Sequence, residues 1–263
     1  MQLKSTPETA LRNRRDRHAF TCFITKSNIV HKHSWLLRFP NLYAWLSSKR
    51  GSVNYEKQLY LRTINKGDVV FDIGANMGYY SVLFSKLCGE NGFVHCFEPV
   101  PETFQLLINS LRNTKNTKAN NLAAGDSESL MEISYDPEDS EKASLIGKSN
   151  TTSLKRMVQV LPLHSYAQEI KLKRLDFVKC DVEGFEIKAL KGLEDTLAIY
   201  RPQISIEITL THKKRLELIN LLKGLGYDSF RKIEKGYPDY DPQQDTQQEG
   251  DYFYLHAASS LAS

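Results

Sequence analysis

Five carboxylates in this 263-residue chain follow short apolar runs, as residues at the ends of parallel strands do. They are Asp72, Glu98, Asp126, Asp181 and Glu207. Open α/β sheets bind their ligands outside the carboxyl ends of their strands, so acids at these positions can bind a ligand or accept a proton. The set favours a hydroxylated ligand with a positive end, together with carboxylate-assisted removal of a proton.

The stretch from Val69 to Tyr80 predicts a strand, a tight turn and the start of a helix. Its apolar run ends at Asp72. Gly74 leaves the strand end without a side chain, so that a ligand can lie against the backbone, and Gly78 lets the helix begin close to it. The spacing is Gly-x-x-x-Gly rather than Gly-x-Gly-x-x-Gly, which favours a ligand without a diphosphate over NAD.

The second strand, Phe93 to Phe97, ends at Glu98. A carboxylate at this strand end can accept hydrogen bonds from both hydroxyls of a ribose. Glu98 lies 26 residues after Asp72, near the spacing of roughly 20 in dinucleotide-binding folds. Ribose binding is therefore supported, although this residue alone does not exclude NAD.

Three blocks carry a resemblance to a known family: FDIGANMGYYSVLFSKL, FVHCFEPVPETFQLLINSL and LDFVKCDVEGFEIKALKGL. In this order they resemble the FkbM family of S-adenosylmethionine-dependent methyltransferases, over about residues 67–208. The resemblance implies S-adenosyl-L-methionine as cofactor and O-methylation of a hydroxyl on a sugar, polyketide or similar small metabolite. It implies cofactor binding by Asp72, Gly74, Asn76, Gly78, Tyr79, Glu98 and Asp126.

The role that the resemblance gives to Asp126 is a hydrogen bond to the adenine amino group. An ordinary Gly-Asp turn is the competing explanation of this residue. Asp126 follows the expected third strand, Lys118–Ala124, and would be the third acid at consecutive strand ends after Asp72 and Glu98. We therefore prefer the binding role.

The expected fold is α/β, a doubly wound, mostly parallel seven-stranded sheet similar to the class I methyltransferase fold, with an N-terminal helical extension. Residues 1–50 are expected to form a basic arm and an aromatic helical segment, and residues 51–263 the methyltransferase domain. The patterns also predict an edge strand at Leu130–Tyr135, a short strand at Met157–Leu161 and an antiparallel pair at the end of the chain, Ser229–Ile233 with Asp251–His256.

The catalytic candidates, in order of preference as the base, are Asp181, Glu183 and Glu207. A carboxylate must have its pKa raised, by burial or by a neighbouring acid, to be an effective base at neutral pH. Glu183 could instead be a helix N-terminal acid, and Glu207 could form a salt bridge to Lys179. No metal is assigned by default, although a competing hypothesis gives Asp181 and Glu207 to Mg²⁺ in a metal-dependent O-methyltransferase.

A non-catalytic nucleoside-binding module is a further alternative, which the presence of all three expected cofactor acids disfavours. The net charge of +4 is too small to indicate a nucleic-acid partner. The residues after the fourth strand, Asp181 to Gly184, also lack the Asn/Asp-Pro-Pro-aromatic signature of amino-directed nucleic-acid methyltransferases. A small-molecule or glycan acceptor is expected instead.

The four cysteines lack the spacing of a metal site, and three lie in apolar runs, as reduced core residues of a cytoplasmic protein do. The sequence has neither a long apolar run nor a signal-peptide pattern. We therefore expect a cytoplasmic protein. The aromatic segment within residues 1–50 is expected to pack on the main domain, with a weak membrane-surface contact as the less favoured alternative.

Overall fold

The computed structural model describes residues 55–136, 139–144, 154–208, 211–227, 229–233 and 250–256. The expected basic arm and aromatic segment at residues 1–50 lie outside the described residues. Within the described ranges, no helix is both long enough and apolar enough to cross a membrane.

The described residues form seven helices and eleven strands. The helices are α1 (Tyr55–Thr63), α2 (Tyr79–Cys88), α3 (Pro101–Leu111), α4 (Leu163–Glu169), α5 (Glu186–Lys191), α6 (Glu194–Tyr200) and α7 (His212–Gly224). The strands are β1 (Val69–Ile73), β2 (Phe93–Phe97), β3 (Thr117–Asn120), β4 (Ala123–Ala124), β5 (Ser129–Asp136), β6 (Asp139–Ser144), β7 (Leu154–Leu161), β8 (Phe177–Cys180), β9 (Gln203–Ile208), β10 (Ser229–Lys232) and β11 (Gly250–Leu255).

The central sheet has seven strands in the order β10-β11-β9-β8-β1-β2-β3. Strands β3, β2, β1, β8 and β9 pair in parallel, while β11 is antiparallel to both β9 and β10. The expected mostly parallel α/β architecture is confirmed. The strand order reverses between β1 and β8, and such a switch point is where an open α/β sheet forms its ligand crevice.

The core lies on both faces of this sheet, as expected for parallel strands whose residues are nearly all buried. Side chains alternate between the faces, so Val70 and Phe177 pack in one apolar cluster and Phe71 and Val178 in another. By the same alternation, Asp72 shares the face of Val70, which α2 covers. The ends of β1 and β8 are therefore held rigidly by packing on two sides.

A second sheet, in the order β4-β7-β5-β6, corrects the expected third strand. That strand divides into β3, which pairs with β2, and β4, which pairs with β7 of the second sheet. Asn120 at the end of β3 donates to the carbonyl of Cys96, and Asn121 turns to the carbonyls of Glu98 and Pro99, so the chain leaves the central sheet there. The expected strands at 130–135 and 157–161 are longer and pair with each other.

Candidate active site

The turn after β1 brings the ends of β1 and β8 into contact. Gly74 has a φ of +80°, and a Cβ placed there would lie 1.8 Å from the backbone oxygen of Asp181. The space at Gly74 is thus taken by the neighbouring strand rather than left for a ligand, which corrects the expected reason for this glycine. Gly78 precedes α2 with a φ of +87°, where a Cβ would lie 2.7 Å from Leu107 Cδ1 of α3.

Glu98 ties the end of β2 to the β1 turn. Its carboxylate accepts hydrogen bonds from the backbone N–H of Asn76 at 3.0 Å and of Val100 at 2.9 Å. The side chain is buried, and this burial raises the pKa of Glu98 to about 7 although the two N–H donors oppose the shift. Each carboxylate oxygen has two lone pairs, so both can still accept a hydroxyl hydrogen. This chemistry fits the diol of a ribose.

Asp72 lies deeper than the sequence suggests, with 1% of its surface exposed. The hydroxyl of Ser81 on α2 donates to its Oδ2 at 2.5 Å. Burial raises the pKa of Asp72 to about 6, against the attraction of the nearby Lys179 ammonium. Asp72 is therefore an acid whose ionisation the fold opposes, and acids with perturbed pKa values cluster at functional sites.

Two other residues expected to bind the cofactor differ in their surroundings. Tyr79 is the first residue of α2, and its partly buried ring contacts the ring of Tyr80 with centroids 5.0 Å apart. Asp126 is exposed and follows β4 of the second sheet. Its expected place at the tip of a central strand is wrong, because the chain has already left the central sheet at Asn120.

The three catalytic candidates do converge. One carboxylate oxygen from each of Asp181, Glu183 and Glu207 lies within 4.8 Å of the others. Asp181 follows β8, Glu207 lies near the end of the adjacent β9, and Glu183 is placed by a backbone with a φ of +49°. We call these three residues the acid cluster. Carboxylates so close together can share a proton or bind a divalent cation.

Lys179 determines the charge of the acid cluster. Its buried ammonium donates to Asp181 Oδ2 at 2.6 Å. Burial by itself would raise the pKa of Asp181, but Lys179 and a hydrogen bond with Glu207 lower it below the usual range. Asp181 is therefore ionised at neutral pH but is a weaker proton acceptor than the sequence argument required. The sequence offered a salt bridge between Lys179 and Glu207 as an alternative. The ion pair that Lys179 forms in the structure is with Asp181 instead.

Glu186 was not selected from the sequence, although it belongs to the same block. Its side chain is completely buried, and its Oε1 accepts the N–H of Gly184 at 2.7 Å. Burial raises the pKa of Glu186 to about 7. The spacing Asp-x-Glu-Gly-x-Glu from Asp181 could have identified it, since the turn at Gly184 folds the first residue of α5 back toward that turn.

The profile of the methyltransferase FkbM domain matches residues 72–229, more than half of the chain. The hexuronic acid methyltransferase AglP of Haloferax volcanii is 28% identical over 140 residues, which cover 53% of this chain and 56% of AglP. The 31-O-demethyl-FK506 methyltransferase FkbM of Streptomyces tacrolimicus is 25% identical over 205 residues, which cover 66% of this chain and 78% of that enzyme.

Among solved structures, an FkbM methyltransferase from Methylobacillus flagellatus aligns at 20% identity with a TM-score of 0.49, over 72% of this chain and 43% of that one. The chain spans only 56% to 78% of the length of the curated relatives it matches. The domain profile includes the turn after β1, the end of β2 and the acid cluster. This chain therefore belongs to the FkbM methyltransferase family.

Proposed function

We propose that the protein is an S-adenosylmethionine-dependent O-methyltransferase that acts on a hydroxyl of a sugar, glycan or small metabolite. The observation that carries the proposal is the arrangement of Asp72 and Glu98 at the ends of β1 and β2, beside the switch point of a sheet in the FkbM family. The acid cluster lies across the switch point, after β8 and near the end of β9. Binding and proton transfer are thus given to separate carboxylates.

The chain's own groups would hold S-adenosylmethionine by its polar ends. Glu98 accepts the ribose hydroxyls and Asp72 attracts the positive end of the molecule. When bound, the cofactor supplies an electrophilic methyl group. Because positive charge disappears during methyl transfer, the protein acts mainly by positioning the hydroxyl and excluding water.

The acid cluster would remove the hydroxyl proton. As the acceptor oxygen forms its bond to the methyl carbon, the carbon–sulfur bond of the cofactor would break to leave S-adenosylhomocysteine, and the O–H proton would pass to a carboxylate oxygen of the cluster. Lys179 keeps Asp181 ionised and so able to accept the transferred proton, and Glu207 is hydrogen-bonded to Asp181 beside it. We therefore assign the base to this pair, with Glu183 beside it.

The names of two relatives suggest which acceptors to test first. One is named for a hexuronic acid and the other for 31-O-demethyl-FK506, a name that points to an oxygen atom as the methyl acceptor. A hexuronic acid offers both hydroxyls and a carboxylate, and only a hydroxyl needs a base. Methylation of a hydroxyl is the reaction that gives the acid cluster a role.

The test is a labelled-methyl transfer screen with the full chain over glycans, uronic acids, polyols and polyketides. We expect the label in a product that resists mild base, as a methyl ether does. The rate of label transfer should fall by about a hundredfold or more in Asp181→Asn. S-adenosylhomocysteine binding should persist in that variant, and exposed Glu128→Gln is the matched control. Full activity of Asp181→Asn, or a base-labile methyl ester as the product, would refute the assignment of the base.

A metal-dependent reaction is the second candidate, and the spacing of the acid cluster favours it. Three carboxylate oxygens within 4.8 Å suit Mg²⁺, which would lower the pKa of a hydroxyl bound to it. Lys179 already neutralises Asp181, which weakens this candidate. Activity that EDTA abolishes and Mg²⁺ restores would support it, whereas activity unchanged by EDTA would exclude it.

A further inference from the structure

A row of polar side chains crosses the buried face of three neighbouring strands. Asp72 of β1 is in register with Lys179 of β8, which is in register with Ser205 of β9. All three are buried. Residues in register on adjacent parallel strands project to the same face, so this row lies under whatever helices cover that face. A buried lysine and aspartate there need polar partners from those helices.

Helix α1 reaches this row through Tyr60, which also binds Glu56. One carboxylate oxygen of Glu56 accepts the hydroxyl of Tyr60, and the other accepts the hydroxyl of Tyr80. The hydroxyl of Tyr60 also lies 3.0 Å from Ser205 Oγ, at the end of the polar row. Tyr60 is fully buried and packs edge-on against Tyr80, with ring centroids 5.2 Å apart. Glu56 is thereby held at a fixed place above the row.

Lys179 connects this helix to the acid cluster. Its ammonium lies 5.1 Å from the ring centroid of Tyr80, the tyrosine that donates to Glu56. On its other side, the same ammonium donates a hydrogen bond to Asp181. Burial alone would lower the pKa of Lys179, but attraction to Asp181, Glu56 and Asp72 raises it above the ordinary value. One buried cation thus faces three carboxylates, of which two belong to the proposed site and one to α1.

Helix α1 ends at Thr63, before the first residue of the matched FkbM domain, Asp72. We propose that Glu56 of α1 is a positioning residue, which through Tyr80 sets the position of the Lys179 ammonium beside Asp72 and Asp181. This role rests on the proposed cofactor site. It makes a helix outside the family's matched region part of the machinery that presents the acids to the ligand.

The proposal predicts an effect on the titration of Asp72, whose neighbours come from every element packed around it. They are Glu56 on α1, Ser81 on α2, Cys96 on β2, Glu98 after β2, Lys179 on β8 and Asp181 after β8. The negative charge of Glu56 is one of the contributions that raise the pKa of Asp72. Removing that charge must therefore lower the pKa of Asp72.

The experiment is calorimetric titration of the full chain with S-adenosylhomocysteine between pH 5 and pH 8. In the wild-type protein, affinity should fall at acid pH in two steps, as Glu98 is protonated near pH 7 and Asp72 near pH 6. Glu56→Gln should move the lower step down by about half a pH unit. The upper step is an internal reference, since Glu98 is bonded to the turns after β1 and β2 and not to α1.

Two variants separate charge from packing. Glu56→Asp keeps the charge and should restore the wild-type step, whereas Glu128→Gln removes an exposed charge elsewhere and should change nothing. If Glu56→Gln does not fold, Tyr80→Phe keeps the ring over Lys179 but removes one of the two hydrogen bonds that hold Glu56, and should give a smaller shift in the same direction.

A Glu56→Gln profile that superimposes on the wild-type profile would overturn the positioning role while leaving the cofactor site intact. An equal loss of affinity at every pH would also overturn it, because that result indicates direct contact of Glu56 with the ligand. Absence of any binding by the wild-type protein would overturn the proposed cofactor site and this role with it.

Discussion

Replacing Asp72 by asparagine should make the protein more stable at pH 8 while weakening its binding of S-adenosylhomocysteine. The carboxylate is 1% exposed, and its folded-state pKa is raised to about 6 from an ordinary value of 3.8. The native state therefore holds the proton between these two pH values, where the unfolded chain has lost it. Because the unfolded chain binds fewer protons there, stability falls as the pH rises through this window.

The size of the effect follows from the two pKa values. Each pH unit between them corresponds to about 1.4 kcal/mol, so ionised Asp72 costs the native state about 3 kcal/mol above pH 6. Asparagine keeps the shape and can still accept from Ser81. Lys179 keeps its closest partner, Asp181 at 2.6 Å. Asp72→Asn should thus raise the free energy of unfolding by about 3 kcal/mol at pH 8 and by close to zero at pH 4.

The assay is urea unfolding of the wild type and Asp72→Asn at pH 4, 6 and 8, with S-adenosylhomocysteine titrations at pH 8. Affinity in the variant should fall by about tenfold to a hundredfold, since a charged hydrogen bond is lost. A stabilised variant with weakened binding fits a group that is kept for function at the expense of stability. Lower stability at pH 8, or a difference independent of pH, would refute the electrostatic argument, and unchanged affinity would refute the binding role.

Two further substitutions test how the site is built. Gly74→Ala should destabilise the protein by several kcal/mol more than Gly67→Ala in thermal or urea unfolding. Both glycines have positive φ, but only at Gly74 would a Cβ meet the Asp181 backbone. Equal losses of stability would show that the contact between the strands does not matter. Lys179→Met should lower the free energy of unfolding by about 2 to 3 kcal/mol, below the cost for a fully buried pair because Asp181 is 30% exposed. Lys118→Met, which removes an exposed lysine over a tyrosine ring, is the control and should cost less than about 1 kcal/mol; a similar loss in both variants would contradict the buried ion pair.

The apolar runs ending in acids predicted the central strands and the positions of Asp72, Glu98 and Asp181, because burial on both faces of a parallel sheet leaves a clear pattern. The division of the expected third strand was not predictable in this way. Ala123 and Ala124 suit either sheet, and the chain's departure depends on Asn120 and Asn121 bonding to backbone carbonyls of the neighbouring strand. Asp126 was misplaced for the same reason.

The charge state of the acids was also beyond the sequence. Lys179 in an apolar strand indicated a buried cation, but its partner depended on strand register and on the distance to Asp181. Register likewise placed Ser205 beside Lys179, and the packing of helix α1 brought Glu56 into the network through two tyrosines. Such long-range pairings leave no periodicity along the chain. The spacing from Asp181 includes Glu186, but the burial of its side chain depends on the turn at Gly184.

Acids at the ends of β1 and β2 are proposed to hold a nucleoside cofactor, and a crystal structure of the protein with S-adenosylhomocysteine is the decisive test. We expect both ribose hydroxyls within hydrogen-bond distance of the Glu98 carboxylate, at about 2.7 Å, with the amino-acid end of the ligand toward Asp72. A ligand bound away from Glu98, with its ribose hydroxyls on other groups, would show that these acids do not form the cofactor site.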